Sequence, residues 1–151
     1  GIGFIYDIKT FQQLRTFSYF GEGWGLTYDG ENMIMSDGTS SLRFLDPDSL
    51  LIRRMLPVTA NGILVKNLNE LEVVKGEIWA NVWQTDTIAR INPKTGKVIG
   101  WIDCAGLLTP EERSGADVLN GIAYDAKRDS VLINGKDWSK MVEVRVKLKA
   151  K

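Results

Sequence analysis

Residues 67–86, with the sequence NLNELEVVKGEIWANVWQTD, decide the fold of this chain. Two strand-like runs, 70–74 and 77–83, flank Lys75-Gly76, a dipeptide typical of a tight hairpin turn. The second run alternates between two faces, formed by Ile78, Ala80 and Val82 and by Trp79, Asn81 and Trp83. The stretch therefore predicts a β-hairpin with polar and aromatic side chains at the rim of a small sheet.

The same unit recurs along the chain. Strand-like segments and turns in residues 71–102 match those in residues 26–56 and 122–145, at intervals of about 45 to 50 residues. Polar loops such as Asp46-Pro-Asp-Ser and Asn92-Pro-Lys-Thr-Gly join a third strand to a fourth. Four short strands per repeat predict an all-β fold, a β-propeller.

The repeat boundaries indicate one domain that holds only part of a propeller. The expected divisions of residues 1–151 are half a blade at 1–20, blades at 21–58 and 67–104, and an incomplete blade at 117–149. Propellers close with about four to eight blades, so about three blades are too few for a ring. We therefore expect other blades, or copies of this chain, to pair with its open strand edges.

The charge and hydropathy of the chain exclude several classes of partner. Nineteen basic and nineteen acidic residues cancel, so the chain lacks the basic field of a nucleic-acid-binding domain. No apolar run approaches the roughly 20 residues that span a bilayer, and the first residues contain no basic segment of the kind that opens a signal peptide. We expect neither nucleic acid nor a membrane as a partner.

The chain contains no histidine and a single cysteine, Cys104. This composition excludes histidine zinc sites, thiolate metal clusters, intrachain disulfides and catalytic triads or dyads that contain histidine. We expect no metal and no cofactor, and we expect Cys104 to be a small buried hydrophobe. Catalysis would have to use carboxylates, lysine, tyrosine or backbone groups.

Six segments, found in a fixed order, are more specific than the repeats. They are GEGWGLT at 21–27, LNELE at 68–72, ANVWQTD at 80–86, GWID at 100–103, DVLNGIAYD at 117–125 and GKDW at 135–138. Together they closely resemble the plant and bacterial glutaminyl cyclases, or glutamine cyclotransferases, a family of five-bladed propellers. The resemblance runs over essentially the whole chain and identifies it as the C-terminal portion of such a protein.

The resemblance implies an acyltransferase that cyclises an N-terminal glutamine to pyroglutamate and releases ammonia, without catalytic zinc. The partner would be a peptide or protein with an N-terminal glutamine. The resemblance also implies export, to the periplasm or a secretory compartment. A second hypothesis, from another class, is a non-catalytic propeller fragment that acts as a binding or self-assembly scaffold.

The resemblance also assigns roles to four residues. Trp24 and Trp83 would form pocket walls, Asn69 would donate to the amide or oxyanion, and Lys136 would orient the substrate or the catalytic carboxylate. The family assigns acid–base catalysis to a glutamate in a Glu-Ser-Thr-Gly-like stretch, and these 151 residues contain no such stretch. The catalytic residue is therefore unknown, and we expect the isolated chain to be inactive.

Other residues carry weaker expectations. Glu22, Glu70 and Asp117 are the carboxylates nearest the predicted channel mouth and are candidate bases, although such residues are more often structural or solvated. Trp79 and Trp101 are predicted to be core or inter-blade packing residues. Thr109-Pro110-Glu-Glu predicts one short helical turn in the connection between two repeats.

Overall fold

The computed structural model describes residues 1–146, and the regular secondary structure of these residues is almost entirely β-strand. The strands are β1 (Ile2–Tyr6), β2 (Gln13–Ser18), β3 (Gly25–Tyr28), β4 (Met33–Ser36), β5 (Ser41–Leu45), β6 (Ile52–Pro57), β7 (Thr59–Ala60), β8 (Ile63–Leu64), β9 (Leu68–Val74), β10 (Glu77–Val82), β11 (Thr87–Ile91), β12 (Val98–Asp103), β13 (Leu119–Asp125), β14 (Ser130–Gly135) and β15 (Val142–Val144). One short helix, α1 (Pro110–Arg113), interrupts them. The all-β prediction is confirmed.

The strands form separate antiparallel sheets in which chain neighbours pair. β1 and β2 form an amino-terminal ribbon, β3 to β6 form sheet 1, β9 to β12 form sheet 2, and β13 to β15 form sheet 3. The short hairpin of β7 and β8 lies between sheets 1 and 2 in the sequence. No helix in residues 1–146 is long and apolar enough to cross a membrane.

The hairpin of β9 and β10 forms as its sequence predicts. Lys75 and Gly76 both have positive φ angles, +51° and +80°, which a two-residue hairpin turn of type I′ requires. The turn sets the register in which Ile78 lies opposite Val73. Both strands are thereby fixed with Leu71 and Ile78 buried in the core.

Apolar layers between neighbouring sheets hold the structure together. One layer joins sheets 1 and 2, and its fully buried members include Phe44, Leu71 and Ile91. A second layer joins sheets 2 and 3 and contains Trp79 and Cys104. Both were predicted to be buried, and both are.

The prediction for Trp101 is wrong, because its side chain is 49% exposed. Trp101 lies on β12, the outer edge strand of sheet 2. It shares with Ile99 the exposed face of that strand, while the alternate residue Ile102 packs against the second apolar layer. Residue type alone did not distinguish this edge position from the buried Trp79.

Helix α1 confirms the predicted helical turn in the connection between sheets 2 and 3. Thr109 caps it: the Thr109 side chain accepts from the backbone N–H of Glu112, and the Glu112 carboxylate accepts from the backbone N–H of Thr109. Lys140 Nζ lies 2.8 Å from the same carboxylate, which ties the helix to the end of sheet 3.

Three edge strands, β3, β9 and β13, lie side by side, one from each sheet. They run in the same direction, because contacts advance together along them: Gly25 lies against Asn69, and Thr27 Oγ1 is 3.4 Å from Glu72 Oε2. On the other side, Glu72 Oε1 accepts from Tyr124 N–H at 2.9 Å. The starts of all three strands therefore lie at one end of the molecule.

Candidate functional site

The four residues expected to bind substrate lie at one end of the sheets, the site end, defined by Trp24, Asn69, Trp83 and Lys136. Backbone pairing places them there. Trp24 N–H donates to Ser36 O, Trp83 N–H donates to Asn67 O, and Lys136 N–H donates to Val118 O. Each bond continues the pairing of two neighbouring strands (β3 with β4, β9 with β10, β13 with β14) just beyond the ends of those strands. The opposite end, the turn end, carries the hairpin turns at 29–32, 75–76 and 126–129.

Trp24 and Trp83 are brought into contact although they belong to different sheets. Their rings pack edge to face, with centroids 5.5 Å apart and planes at 72°, an arrangement that aromatic pairs prefer. The Trp24 ring lies over Gly38, where a β-carbon would come within 2.6 Å of it. Trp24 Nε1 donates to Glu22 Oε2 at 2.6 Å, which fixes the orientation of the indole. Both tryptophans are only partly buried, so each remains partly accessible to solvent.

Asn69 is 5% exposed and is fixed through its backbone. Its carbonyl oxygen accepts from Ser36 Oγ of sheet 1 at 2.5 Å. The same oxygen would lie 2.3 Å from a β-carbon at position 25, so only glycine permits this approach of β3. The backbone of Asn69 is therefore held against sheet 1, close to the strand that follows Trp24.

Lys136 lies at the site end of sheet 3 but outside the aromatic pair, and its side chain is exposed. Its backbone is well fixed: Asp117 N–H donates to Lys136 O, and Trp138 Nε1 donates to Asp117 O at 3.1 Å. The neighbouring Gly135 lies beneath the Trp138 ring, since a β-carbon there would come within 2.3 Å of Nε1.

The three candidate carboxylates differ in their surroundings. Glu22 is exposed and bonded to Trp24, and Asp117 is exposed. Glu70 is mostly buried on β9, next to Asn69, and its Oε2 accepts from Ile122 N–H at 3.0 Å. Burial, together with the nearby charge of Glu72, raises the pKa of Glu70 to about 8. Burial therefore favours the protonated form of Glu70 at neutral pH.

Several polar residues at the site end were not singled out from the sequence. Asn81 is fully buried, and its Oδ1 accepts from Gly121 N–H at 3.0 Å, while its Nδ2 has no partner among the described residues. Asn120 Oδ1 is likewise buried and without a partner there. The available signal was the position of Asn81 between Trp79 and Trp83 on one strand face. A polar residue in such a buried row needs a partner.

An open apolar cleft of about 510 Å³ lies between the amino-terminal ribbon and sheet 1. The residues that line the cleft include Phe4, Phe17, Trp24, Leu26 and Met35. The cleft follows the face of β3, where Leu26 is 53% exposed, and it is a gap between sheets more than a closed pocket.

The arrangement is that of an all-β protein in which two contacting indoles and the buried Asn69 lie at the shared end of three edge strands. Indole walls exclude water and orient a flat group, and asparagine amides donate to a carbonyl or oxyanion. A lysine at the rim supplies positive charge. These groups suit a small amide or peptide terminus.

Comparisons with known proteins identify the family. The sequence profile of the family described as glutamine cyclotransferase matches residues 1–146. A glutaminyl-peptide cyclotransferase of Arabidopsis thaliana is 43% identical over 150 residues, which cover 96% of this chain and 47% of that protein. The crystal structure of the Myxococcus xanthus glutaminyl cyclase matches with a TM-score of 0.79 at 39% identity, over 89% of this chain and 59% of that one.

The chain belongs to the glutamine cyclotransferase family, as its six sequence segments indicated. It spans about half the length of the curated relative that it matches.

Proposed function

We propose that this chain is part of a glutaminyl-peptide cyclotransferase, which cyclises an N-terminal glutamine with release of ammonia. The observation that carries the proposal is the contact of Trp24 with Trp83, since two indoles from different sheets meet at the end of the sheets that also carries Asn69. The names of the relatives from Arabidopsis thaliana and Myxococcus xanthus support the same reaction.

In the reaction, the α-amine of the substrate attacks its own side-chain amide carbonyl. A carbon–nitrogen bond forms, the bond to the amide nitrogen breaks, and a proton passes from the amine to the leaving ammonia. Trp24 and Trp83 hold the flat amide and keep water out. Asn69 donates a hydrogen bond to the developing oxyanion, and Lys136 orients the substrate or the catalytic carboxylate.

The proton transfers need a carboxylate that holds the amine neutral and then protonates the leaving nitrogen. The glutamate that the family uses has no counterpart in these 151 residues. We therefore propose that the isolated chain is inactive and that the complete gene product carries the activity. The resemblance to the family implies export, so we place that product in the periplasm or a secretory compartment, which cell fractionation tests.

We also propose that sheets 1 to 3 and the ribbon are blades of a five-bladed propeller, divided at 1–20, 21–58, 67–104 and 117–149. The strand counts of two, four, four and three support this division. So does the side-by-side packing of the edge strands β3, β9 and β13, because innermost strands surround the axis of a propeller. Residues 147–149 of the last division lie outside the described residues.

The function is tested by incubating the complete gene product with a peptide that begins with glutamine. Ammonia release is the readout. The matched control is the same peptide with an acetylated amine, which removes the nucleophile and leaves the side chain intact. We expect ammonia from the first peptide alone. No ammonia from either peptide would contradict the proposal.

A second candidate function, a self-assembly scaffold, is favoured by one observation. The apolar cleft beside β3 leaves Leu26 and Phe4 more than half exposed, and β1 has a free strand edge. Added strands could pair with that edge. This candidate predicts that the isolated chain forms multiples of 16.9 kDa in native mass spectrometry. A strictly monomeric isolated chain would contradict it.

A further inference from the structure

A β-bulge in sheet 2 lies at the site end. The register of β9 and β10 shifts between Ala80 and Val82, so that two residues, Asn69 and Glu70, lie opposite Asn81 alone. Bulges turn side chains away from their regular directions and occur often beside active sites. Sheet 3 has a register shift at the corresponding position, where Asn120 and Gly121 lie opposite Asn134 alone. In sheet 1, β3 and β4 pair without a register shift.

Sheet 1 holds the first residue of the bulge. Ser36 Oγ donates to the carbonyl oxygen of Asn69 at 2.5 Å. Gly25 fits against the bulge so closely that a β-carbon there would lie 2.8 Å from the α-carbon of Glu70. Movement of Asn69 toward β3 is therefore blocked.

Sheet 3 holds the second residue of the bulge. Glu70 Oε2 accepts from Ile122 N–H at 3.0 Å. β13 is an edge strand, so this carboxyl serves as the partner of a backbone donor that pairs with no strand among residues 1–146. Asn81, opposite the bulge, accepts from Gly121 N–H one residue earlier. The bulge is therefore fastened to both neighbouring sheets.

Glu72 provides an internal comparison. It lies two residues further along β9, and its carboxylate accepts from Tyr124 N–H at 2.9 Å, a bond of the same kind between the same two strands. Glu72 lies outside the bulge, opposite Trp79 in the regular ladder. The two carboxyls thus make matching bonds, and one of them belongs to the bulge that carries Asn69.

We propose that Glu70 is a positioning residue for Asn69, because its bond to Ile122 fixes the bulge that aims Asn69 at the substrate. The inference rests on the proposed cyclotransferase function. It gives Glu70 no contact with the reacting atoms. A positional error of about 1 Å in a reacting or stabilising group can lower a rate about a hundredfold, so loosening the bulge should reduce kcat more than it weakens substrate binding.

The test compares Glu70→Ala, Glu70→Gln and Glu72→Ala in the complete gene product, with kcat, KM and the unfolding midpoint measured for each. Glu70→Ala removes the bond to Ile122 and should lower kcat about 10- to 100-fold with a smaller change in KM. Glu70→Gln keeps an acceptor oxygen for that bond and should remain within about threefold of the wild type. Glu72→Ala should lower the unfolding midpoint about as much as Glu70→Ala while kcat stays within about threefold.

Two results would overturn the inference. Equal losses of kcat in Glu70→Ala and Glu72→Ala would show that Glu70 only stabilises the packing of β9 against β13. A Glu70→Gln variant as inactive as Glu70→Ala would show that the carboxyl is needed for its proton. If the wild type releases no ammonia, the proposed function fails instead, which separates the two cases.

Ser36→Ala gives a second test should Glu70→Ala fail to fold. It removes the bond to the carbonyl of Asn69 from the opposite side and leaves the Glu70 carboxyl in place. We expect kcat to fall about tenfold with little change in KM. An unchanged kcat in Ser36→Ala would contradict the view that the bulge must be held for activity.

Discussion

The strands β3, β9 and β13 terminate differently at the turn end and at the site end of the molecule. At the turn end, tight turns join the strands. Charged side chains in these turns form exposed ion pairs, such as that of Lys75 with Asp129. At the site end, two bulges interrupt the ladders, and buried polar groups such as Glu70 and Asn81 bond to the backbone of the next sheet. The polar groups of the turn end are solvated, whereas the site end buries polar groups, each of which costs free energy wherever it lacks a partner.

The buried polar groups support the proposal that the site end is the functional one. Such groups are costly, and they persist where the surrounding structure holds them for a purpose. The following substitutions compare the two ends directly.

The largest expected effect is that of Asn69→Ala at the site end. Loss of one donor to an oxyanion typically lowers kcat about 100- to 1000-fold, and we expect a loss of this size in ammonia release by the complete gene product. The matched control is Asn32→Ala at the turn end, where Asn32 bonds to Arg53 and Asp29. Equal activity in the two variants would contradict the assignment of the site.

The next prediction compares the stability lost when a glycine at each end is replaced by alanine. Gly25→Ala at the site end would place a β-carbon 2.3 Å from the backbone oxygen of Asn69, and such overpacking typically costs about 1–3 kcal/mol. Gly76→Ala at the turn end meets open space, and its cost is the backbone strain of φ +80°, about 1–2 kcal/mol. Chemical denaturation measures both. Only Gly25→Ala should also lower kcat, and an active Gly25→Ala enzyme would weaken the comparison.

A third comparison concerns pH. The pKa of Glu70 is about 8 in the folded chain and about 4.3 in an unfolded one, so the folded state binds the proton more tightly. The free energy of unfolding should therefore fall as the pH rises from about 4.5 to about 8, by up to about 1.4 kcal/mol per pH unit. The chain has no histidine, the side chain that normally titrates in this range.

Glu70→Gln should remove that slope. The measurement is the free energy of unfolding at several pH values from 5 to 8, for the wild type and the variant of the complete gene product. Glu72→Gln serves as the control and should retain most of the slope. Parallel pH profiles of the wild type and Glu70→Gln would show that Glu70 titrates as an ordinary carboxyl.

The smallest effect is expected for Lys75→Ala at the turn end. It removes an ion pair to Asp129 whose two side chains are more than half exposed, and such pairs contribute little to stability. We expect an unfolding midpoint and a kcat that cannot be distinguished from those of the wild type. A clear loss of activity would show that the turn end takes part in function.

Much of the fold could be predicted from the sequence, because strands and turns have local signals. Alternation in 77–83 and the Lys75-Gly76 turn predicted the β9–β10 hairpin, and Thr109 with Pro110 predicted α1. The hairpin of β7 and β8 was missed although Asn61-Gly62 at its turn is a known hairpin signal. Its strands have only two residues each, too few to show alternation.

The site was less predictable, because its geometry depends on contacts between sheets. The four expected residues follow from family segments, and the contact of Trp24 with Trp83 could not be read from either sheet alone. The bulge at Asn69 and Glu70 could not be recognised in the sequence. One extra residue in β9 only shifts the alternation of buried and exposed side chains, and such a shift is not a distinct sequence signal. The need for Gly25 was hidden for the same reason: the atom it avoids lies on another sheet.

The most direct test of the site is a crystal structure of the complete gene product with a bound glutaminyl peptide whose α-amine is acetylated, so that it cannot attack the side-chain amide. We predict that the glutamine side chain lies against Trp24 and Trp83, with its amide within hydrogen-bond distance of Asn69. Binding at the turn end, or in the cleft lined by Phe4 and Phe17, would contradict the account.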